Sequence, residues 1–247
     1  MAIFTPFLAA QHELQGPNAR AGGLRECTTA SPPFRRLAVV LYPGPSGTEN
    51  IVEAEPRHVC VYCASSRMSH AQYRQAAFRL GAILAQRGFG IVYGGGGAGS
   101  MGALADGALC EGGRIVGILP RFMADLEWGH KGLSELELVE DMHTRKRRML
   151  ARSHAVVALP GGSGTLEELL EALSLKRLGL YLNPIVVVNT RGYFDPLIEL
   201  LDRAVSERFM DERHLAMWQV VGEPEEVPAA IESAPEWTAA ARSFAAV

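Results

Sequence analysis

A chain of 247 residues that is 48% hydrophobic carries enough apolar material for one sizeable α/β domain or two small ones. Its 24 Lys and Arg against 27 Asp and Glu give a net charge of −3, with both signs interspersed, which excludes the basic field of a nucleic-acid or membrane-surface binder. No apolar run approaches the roughly 18 to 20 residues that cross a bilayer, and the first residues lack a charged secretory n-region, so a cytoplasmic location is expected.

Residues 1–56 are broken by Pro, Gly, Ser and Thr clusters and read as an N-terminal extension, mostly flexible. Within it, Leu37-Ala38-Val39-Val40-Leu41-Tyr42 has the pattern of an added strand or a surface packing segment. From residue 57 to 247 strands and helices alternate, the pattern of one Rossmann-like α/β domain with a parallel sheet flanked by helices on both faces. The first strand is expected at 58–63, followed by a helix over 70–87 that Gly88 ends. Cys60 and Cys63 form a CxxC pair on that strand, but residues three apart on a strand point to opposite faces and no second pair has zinc-site spacing. They read as small buried strand residues. Ser65 and Ser66 end the strand at the edge where parallel sheets bind ligands, as ligand contacts or as helix caps.

A second strand over 89–93 runs into Gly94-Gly95-Gly96-Gly97-Ala98-Gly99-Ser100-Met101-Gly102 and then a helix. The loop matches GxGxxG by letter. A dinucleotide site also wants an acidic residue at the end of the next strand, and the strand over 114–119 ends in Pro120 instead. The glycines, Gly95 and Gly96 among them, therefore serve close approach to a smaller ligand or to the neighbouring helix. Residues 120–133 are irregular and suit a wall or lid, with a polar-alternating strand over 135–140 behind them. In the helix over 143–154, Arg145, Lys146, Arg147 and Arg148 crowd the early turns, against the preference of the helix dipole. At helical spacing only one or two of the four share a site.

The stretch Leu159-Pro160-Gly161-Gly162-Ser163-Gly164-Thr165-Leu166-Glu167-Glu168 follows the apolar run 155–159 and opens an amphipathic helix. It reads as strand, phosphate-sized loop and helix, with unpaired amides and the positive helix end facing an anion. No Lys-Ser or Lys-Thr follows the glycines, so it is not a triphosphate-hydrolysing loop. A strand over 185–189, an amphipathic helix over 193–208 and a short strand near 218–221 complete the fold.

Pro160-Gly161-Gly162-Ser163-Gly164-Thr165-Leu166-Glu167-Glu168 matches the PGGxGTxxE signature of the LOG ("Lonely Guy") family, phosphoribohydrolases that release cytokinin bases from their riboside 5′-monophosphates. Asp141-Met142-His143-Thr144-Arg145-Lys146 resembles that family's Arg-Lys element. The blocks Cys60-Val61-Tyr62-Cys63-Ala64-Ser65-Ser66 and 93–102 agree with it. The resemblance runs from about residue 57 and leaves the extension uncovered. It implies Arg145 and Glu168 as catalytic residues, with Glu168 steadying a ribosyl cation or activating water. Arg145 would stabilise the departing base or clamp the phosphate. It implies a phosphate and ribose site from Gly161, Gly162, Ser163, Gly164, Thr165, Leu166 and Glu167, with Lys146, Glu127, Ser174, Ser66, Gly95 and Gly96 as further substrate contacts. It implies no metal, no organic cofactor, a nucleoside monophosphate substrate with AMP as a second possibility, and a homodimer. The stretch Ser174-Leu175-Lys176-Arg177-Leu178-Gly179-Leu180 departs from the Trp-Ala-Gln-rich sequence of plant-like members, which bears on base preference or the dimer contact.

Two other readings come with the resemblance. A molybdenum-cofactor carrier of the same fold has no need of an acid beside its anion loop. The lysine decarboxylase label often attached to the family requires pyridoxal phosphate on a lysine, and Lys131, Lys146 and Lys176 lack that context.

Overall fold

The computed structural model describes residues 39–43, 49–53, 57–126 and 128–245. The flexible character expected of most of 1–56 and the position of Glu127 lie outside the described residues. Strand β1 (Val39–Pro43) pairs antiparallel with β2 (Glu49–Glu53), so the apolar run of the extension takes the strand alternative from Val39 onward.

Seven further strands form one sheet: β3 (His58–Tyr62), β4 (Gly90–Tyr93), β5 (Ile115–Pro120), β6 (Glu135–Val139), β7 (Ala155–Ala158), β8 (Ile185–Val188) and β9 (Gln219–Val221). Their order is β6-β5-β4-β3-β7-β8-β9 and every pairing is parallel. The chain steps outward from β3 through β4, β5 and β6, then returns to lay β7 on the other side of β3. Strand order reverses there, and an open parallel sheet has its ligand crevice outside the carboxyl ends of the strands at such a point.

The central strands are apolar on both faces because helices cover both. Helices α1 (Ala71–Gln86), α2 (Gly99–Cys110) and α7 (Val227–Ser233) supply residues to one layer of core, with Val59, Val61, Ile91 and Val157. Helices α4 (Met142–Ala151) and α5 (Ser163–Arg177) supply the other, with Cys60, Tyr62, Val156 and Val187, and α6 (Asp195–Ser206) packs partly against it. A short helical turn, α3 (Arg121–Ala124), interrupts the segment expected to be irregular. Cys60 and Cys63 fall in opposite layers, both buried and free, and burial pushes both thiols up, away from thiolate chemistry. Among the described residues no group of three or more His, Cys, Asp or Glu suits a metal ion, and no helix is long and apolar enough to cross a membrane.

Candidate active site

Strand β7 enters the site fully buried and Leu159 and Pro160 carry the burial to its end. Gly161 is pressed against the first turn of α5: a Cβ there would lie 2.1 Å from Thr165 Oγ1. Helix α5 starts at Ser163. No side chain caps it. Its first amides therefore lack intrahelical acceptors and face outward with the positive end of the helix dipole. A Cβ on Gly162 or Gly164 would meet nothing within 4 Å, and neither has a positive φ. Glycine in the first helical turn costs helix propensity, about 1 kcal/mol against alanine. That cost falls on Gly164, in the first turn, whereas Gly162 is the residue that caps the helix, where glycine is favoured over alanine.

Helix α4 brings in the cation. Asp141 caps it, its Oδ1 accepting from the Thr144 amide at 2.7 Å, which also holds that carboxyl below its usual range. Arg145 then points inward, 5% exposed. Its Nε donates to the Ile118 carbonyl at 3.1 Å, its Nη2 to the Gly94 carbonyl at 3.3 Å and its Nη1 to Glu168 Oε1 at 3.1 Å. One guanidinium thus joins the ends of β4 and β5 to α5. Glu168 is 4% exposed; burial pushes its carboxyl up to about 7, against the lowering effect of Arg145, and Glu167 adds to the rise. A carboxyl poised near neutrality beside a fixed cation suits a group that changes charge or holds it during a reaction.

Lys146 is also buried, and its ammonium pairs with Glu167 and, at 3.0 Å, with Glu171. Burial opposes its charge, but the hydrogen bonds from Glu167 and Glu171 outweigh that and raise its pKa. Of the four basic residues, Arg145 and Lys146 turn inward while Arg147 and Arg148 are exposed, Arg148 meeting Glu137 at 3.3 Å. The dipole penalty of a basic first turn is offset by carboxylates on α5.

The structure thus gathers Arg145, Lys146, Gly161, Gly162, Ser163, Gly164, Thr165, Glu167 and Glu168 at one corner of the sheet. Leu166 packs half-buried against the core instead. Ser174 lies on the exposed side of α5, its hydroxyl donating to the Leu170 carbonyl at 2.7 Å. Ser66 Oγ accepts from the Met68 amide at 3.3 Å, so it shapes the β3–α1 loop. Gly95 and Gly96 line up against the wall segment: His130 N donates to the Gly95 carbonyl at 2.9 Å, and Gly96 forms an antiparallel bridge with Gly129.

Sequence reasoning missed three features. Tyr193, on the turn before α6, donates its hydroxyl to the Gly161 carbonyl. His130, on the wall segment, is held at both ring nitrogens: Nδ1 accepts from Gly132 N at 3.0 Å and Nε2 meets Asp106 Oδ1 at 3.1 Å. It also lines a cavity of about 540 Å³ with Ser65, Arg67, Gly97, Ala98, Trp128, Gly129 and Lys131, beside the glycine loop after β4. No local pattern announces any of these, since each joins residues far apart in the chain.

Parallel strand order, the crevice at its reversal, an uncapped helix start over open glycines and a buried Arg–Glu pair define a Rossmann-like protein with the positive end of a helix set near an ionisable acid. The family model described as "Possible lysine decarboxylase" matches residues 101–231, more than half of the chain. The rice (Oryza sativa subsp. japonica) cytokinin riboside 5′-monophosphate phosphoribohydrolase LOG is 42% identical over 157 residues, 63% of this chain and 64% of that protein. LOG1 of Arabidopsis thaliana, also a cytokinin riboside 5′-monophosphate phosphoribohydrolase, is 37% identical over 166 residues, 66% of this chain and 78% of that protein. The chain belongs to this family, the LOG family. In fold it also resembles the molybdenum cofactor carrier protein of Chlamydomonas reinhardtii, with a TM-score of 0.56 at 20% identity over 72% of this chain and 96% of that one.

Proposed function

We propose that the chain hydrolyses the N-glycosidic bond of cytokinin riboside 5′-monophosphates, and of AMP to a degree that the assay below decides. Water adds at the anomeric carbon, the base leaves with a proton, and ribose 5-phosphate remains. The observation that carries this reading is Glu168, buried and raised to about 7, set behind a helix start whose glycines leave the backbone open. Amides of residues 162–165 hold the 5′-phosphate. Glu168 lies on the sixth residue of α5, roughly 7 to 8 Å along the helix from its start, a span suited to a phosphate at one end and the anomeric carbon at the other. Its carboxylate steadies the oxocarbenium-like state or takes the proton of the attacking water.

Arg145 acts chiefly by fixing Glu168 in place, because each of its three nitrogens already has a protein acceptor. Lys146, paired with Glu167 and Glu171, braces α4 against α5 and adds positive field. Glu127, Ser66, Gly95, Gly96 and Ser174 remain proposed substrate contacts. The lysine decarboxylase description of the family points to pyridoxal chemistry, which the lysines do not support. Lys146 is committed to two carboxylates, and Lys176, lowered to about 8 by burial, is 2% exposed and donates to the Asn183 carbonyl at 2.7 Å. A homodimer goes with this reading, supported by the exposed Leu170, Leu178 and Leu180 on and after α5. A cytoplasmic place goes with the nucleotide substrate.

The deciding experiment measures base release from isopentenyladenosine monophosphate and from AMP side by side. Preference for the prenylated nucleotide supports cytokinin activation, and comparable AMP cleavage widens the substrate class. No release from either would favour a carrier.

A further inference from the structure

The carbonyl of Gly161 and the N–H of Gly162 belong to one planar trans peptide unit, so they point in opposite directions. Tyr193 Oη donates to that carbonyl. The Gly162 N–H is thereby turned away from Tyr193, and an added Cβ at Gly162 meets nothing within 4 Å. Among the described residues no protein acceptor meets this amide. With glycine on both sides of the peptide, no side chain opposes its rotation, and the tyrosine hydroxyl is the group that opposes it.

Tyr193 is itself held by more than its hydroxyl. Arg191 and Gly192 adopt φ of 61° and 68°, two successive left-handed residues, the first a strained position for a side-chain-bearing residue. Asn189 fastens the turn: its Oδ1 accepts from Phe194 N at 2.7 Å and its Nδ2 donates to Asp195 Oδ1 at 2.6 Å. The Tyr193 ring meets Phe194 edge-on at 5.0 Å and Tyr73 at 5.8 Å, and the Arg191 guanidinium lies 5.8 Å over the Tyr73 ring. Phe194 is buried at 1%, whereas Tyr193 keeps 37% of its surface exposed, so an anchored base carries a partly exposed tyrosine.

We propose that Tyr193 is a positioning residue that orients the Gly161–Gly162 peptide so that the Gly162 amide joins those of Ser163 and Gly164 in binding the substrate's phosphate. The inference rests on the phosphoribohydrolase reading and assigns the phosphate-orienting group within it. Without the hydroxyl, the peptide samples both orientations, and in one of them a carbonyl oxygen faces the anion.

The test compares Tyr193→Phe, which keeps the ring and removes one oxygen, with the wild-type protein. KM for the nucleotide monophosphate is expected to rise about three- to tenfold, the range one hydrogen bond spans, with kcat changed less than about twofold. Binding of inorganic phosphate and of ribose 5-phosphate, measured by calorimetry, weakens by the same factor, and binding of free adenine does not change. Unaltered phosphate binding overturns the proposal, as does an equal loss of phosphate and adenine binding together with a lowered denaturation midpoint. Because the calorimetric arm needs no turnover, a wild-type protein that releases no base sinks the phosphoribohydrolase reading while Tyr193 is still judged on phosphate.

Discussion

Two glycine-rich loops stand side by side at the carboxyl edge of the sheet, and they are glycine-rich for opposite reasons. In the loop after β4 the protein itself excludes side chains. A Cβ on Gly94 would lie 1.9 Å from Arg145 Nη2, one on Gly96 would lie 2.7 Å from Met101 Sδ, and one on Gly99 would lie 2.5 Å from the Ser66 carbonyl, with φ of 61° besides. In the loop after β7, Gly161 is similarly crowded by Thr165, but Gly162 and Gly164 face open space. Gly164, which meets no neighbour and lies in the first turn where glycine weakens a helix, is what the proposed phosphate site would use. The first loop builds the cradle of Arg145; the second leaves open space over the start of α5.

The largest effect belongs to the acid that both loops serve. Glu168→Gln keeps the shape and removes the charge, and kcat is expected to fall about a hundred- to ten-thousandfold while nucleotide binding persists. Titration of the nucleotide alongside the kinetics checks this, and full turnover in the variant would refute the assignment. Gly94→Ala tests the crowded loop. Its methyl group displaces the guanidinium from Ile118, Gly94 and Glu168 together, so a stability loss of about 1 to 3 kcal/mol should accompany a loss of kcat. Denaturant unfolding and turnover at saturating substrate read the two, and a variant normal in both would show that Arg145 yields without consequence.

Gly164→Ala should do the reverse. Alanine favours the first turn of α5 by up to about 1 kcal/mol, so the unfolding midpoint holds or rises. The methyl group meanwhile enters the space over the amides, and KM should rise roughly tenfold, equivalent to about 1.4 kcal/mol of binding. A variant more stable and unchanged in KM would break the contrast between the loops, because the open space would then have no occupant.

Much of this contrast was legible in the residues and much was not. The alternation of strands and helices, the opposite facings of Cys60 and Cys63, and the grouping of Arg145 with Glu168 followed from local periodicity and motif. The long-range bonds did not: Arg145 reaches Gly94 across 51 positions and Glu168 across 23, and Tyr193 reaches Gly161 across 32. Sequence spacing cannot distinguish a guanidinium aimed at a ligand from one already met by main-chain carbonyls, and the carbonyl acceptors are what favour the proposed anchoring role of Arg145. It is equally blind to desolvation, so the raised pKa of Glu168 follows only once its burial is seen. β2 escaped notice because Glu49–Glu53 has no strong alternation of its own and is drawn into strand form by pairing with β1.

Burial of Glu168 has a kinetic consequence of moderate size. If the ionised carboxylate is the working form, kcat/KM falls about tenfold per pH unit below about 7. The substrate's own phosphate ionises lower, near 6, and a limb that tracks only that value would assign the dependence to substrate instead.

The smallest effect is one of stability, and its sign is fixed by the same burial. The folded protein holds the Glu168 proton up to about pH 7, while an unfolded chain releases it near 4.5. Between those values the native state binds more protons than the unfolded one, so the contribution of this group is full below about 4.5 and is lost as pH rises through about 7. Glu168→Gln does not titrate there, and the remaining groups are shared by both proteins. The difference in unfolding free energy, wild type minus variant, should therefore decline from pH 5 to pH 8, whatever its absolute value at either end. That absolute value mixes the desolvation of the carboxylate with the loss of a partner for Arg145, two opposing effects that a single-pH comparison merges. The slope isolates the first. A flat difference would mean that Arg145 fully compensates the burial, leaving Glu168 an ordinary carboxylate at neutral pH and moving the acidic limb of kcat/KM below the substrate's own ionisation.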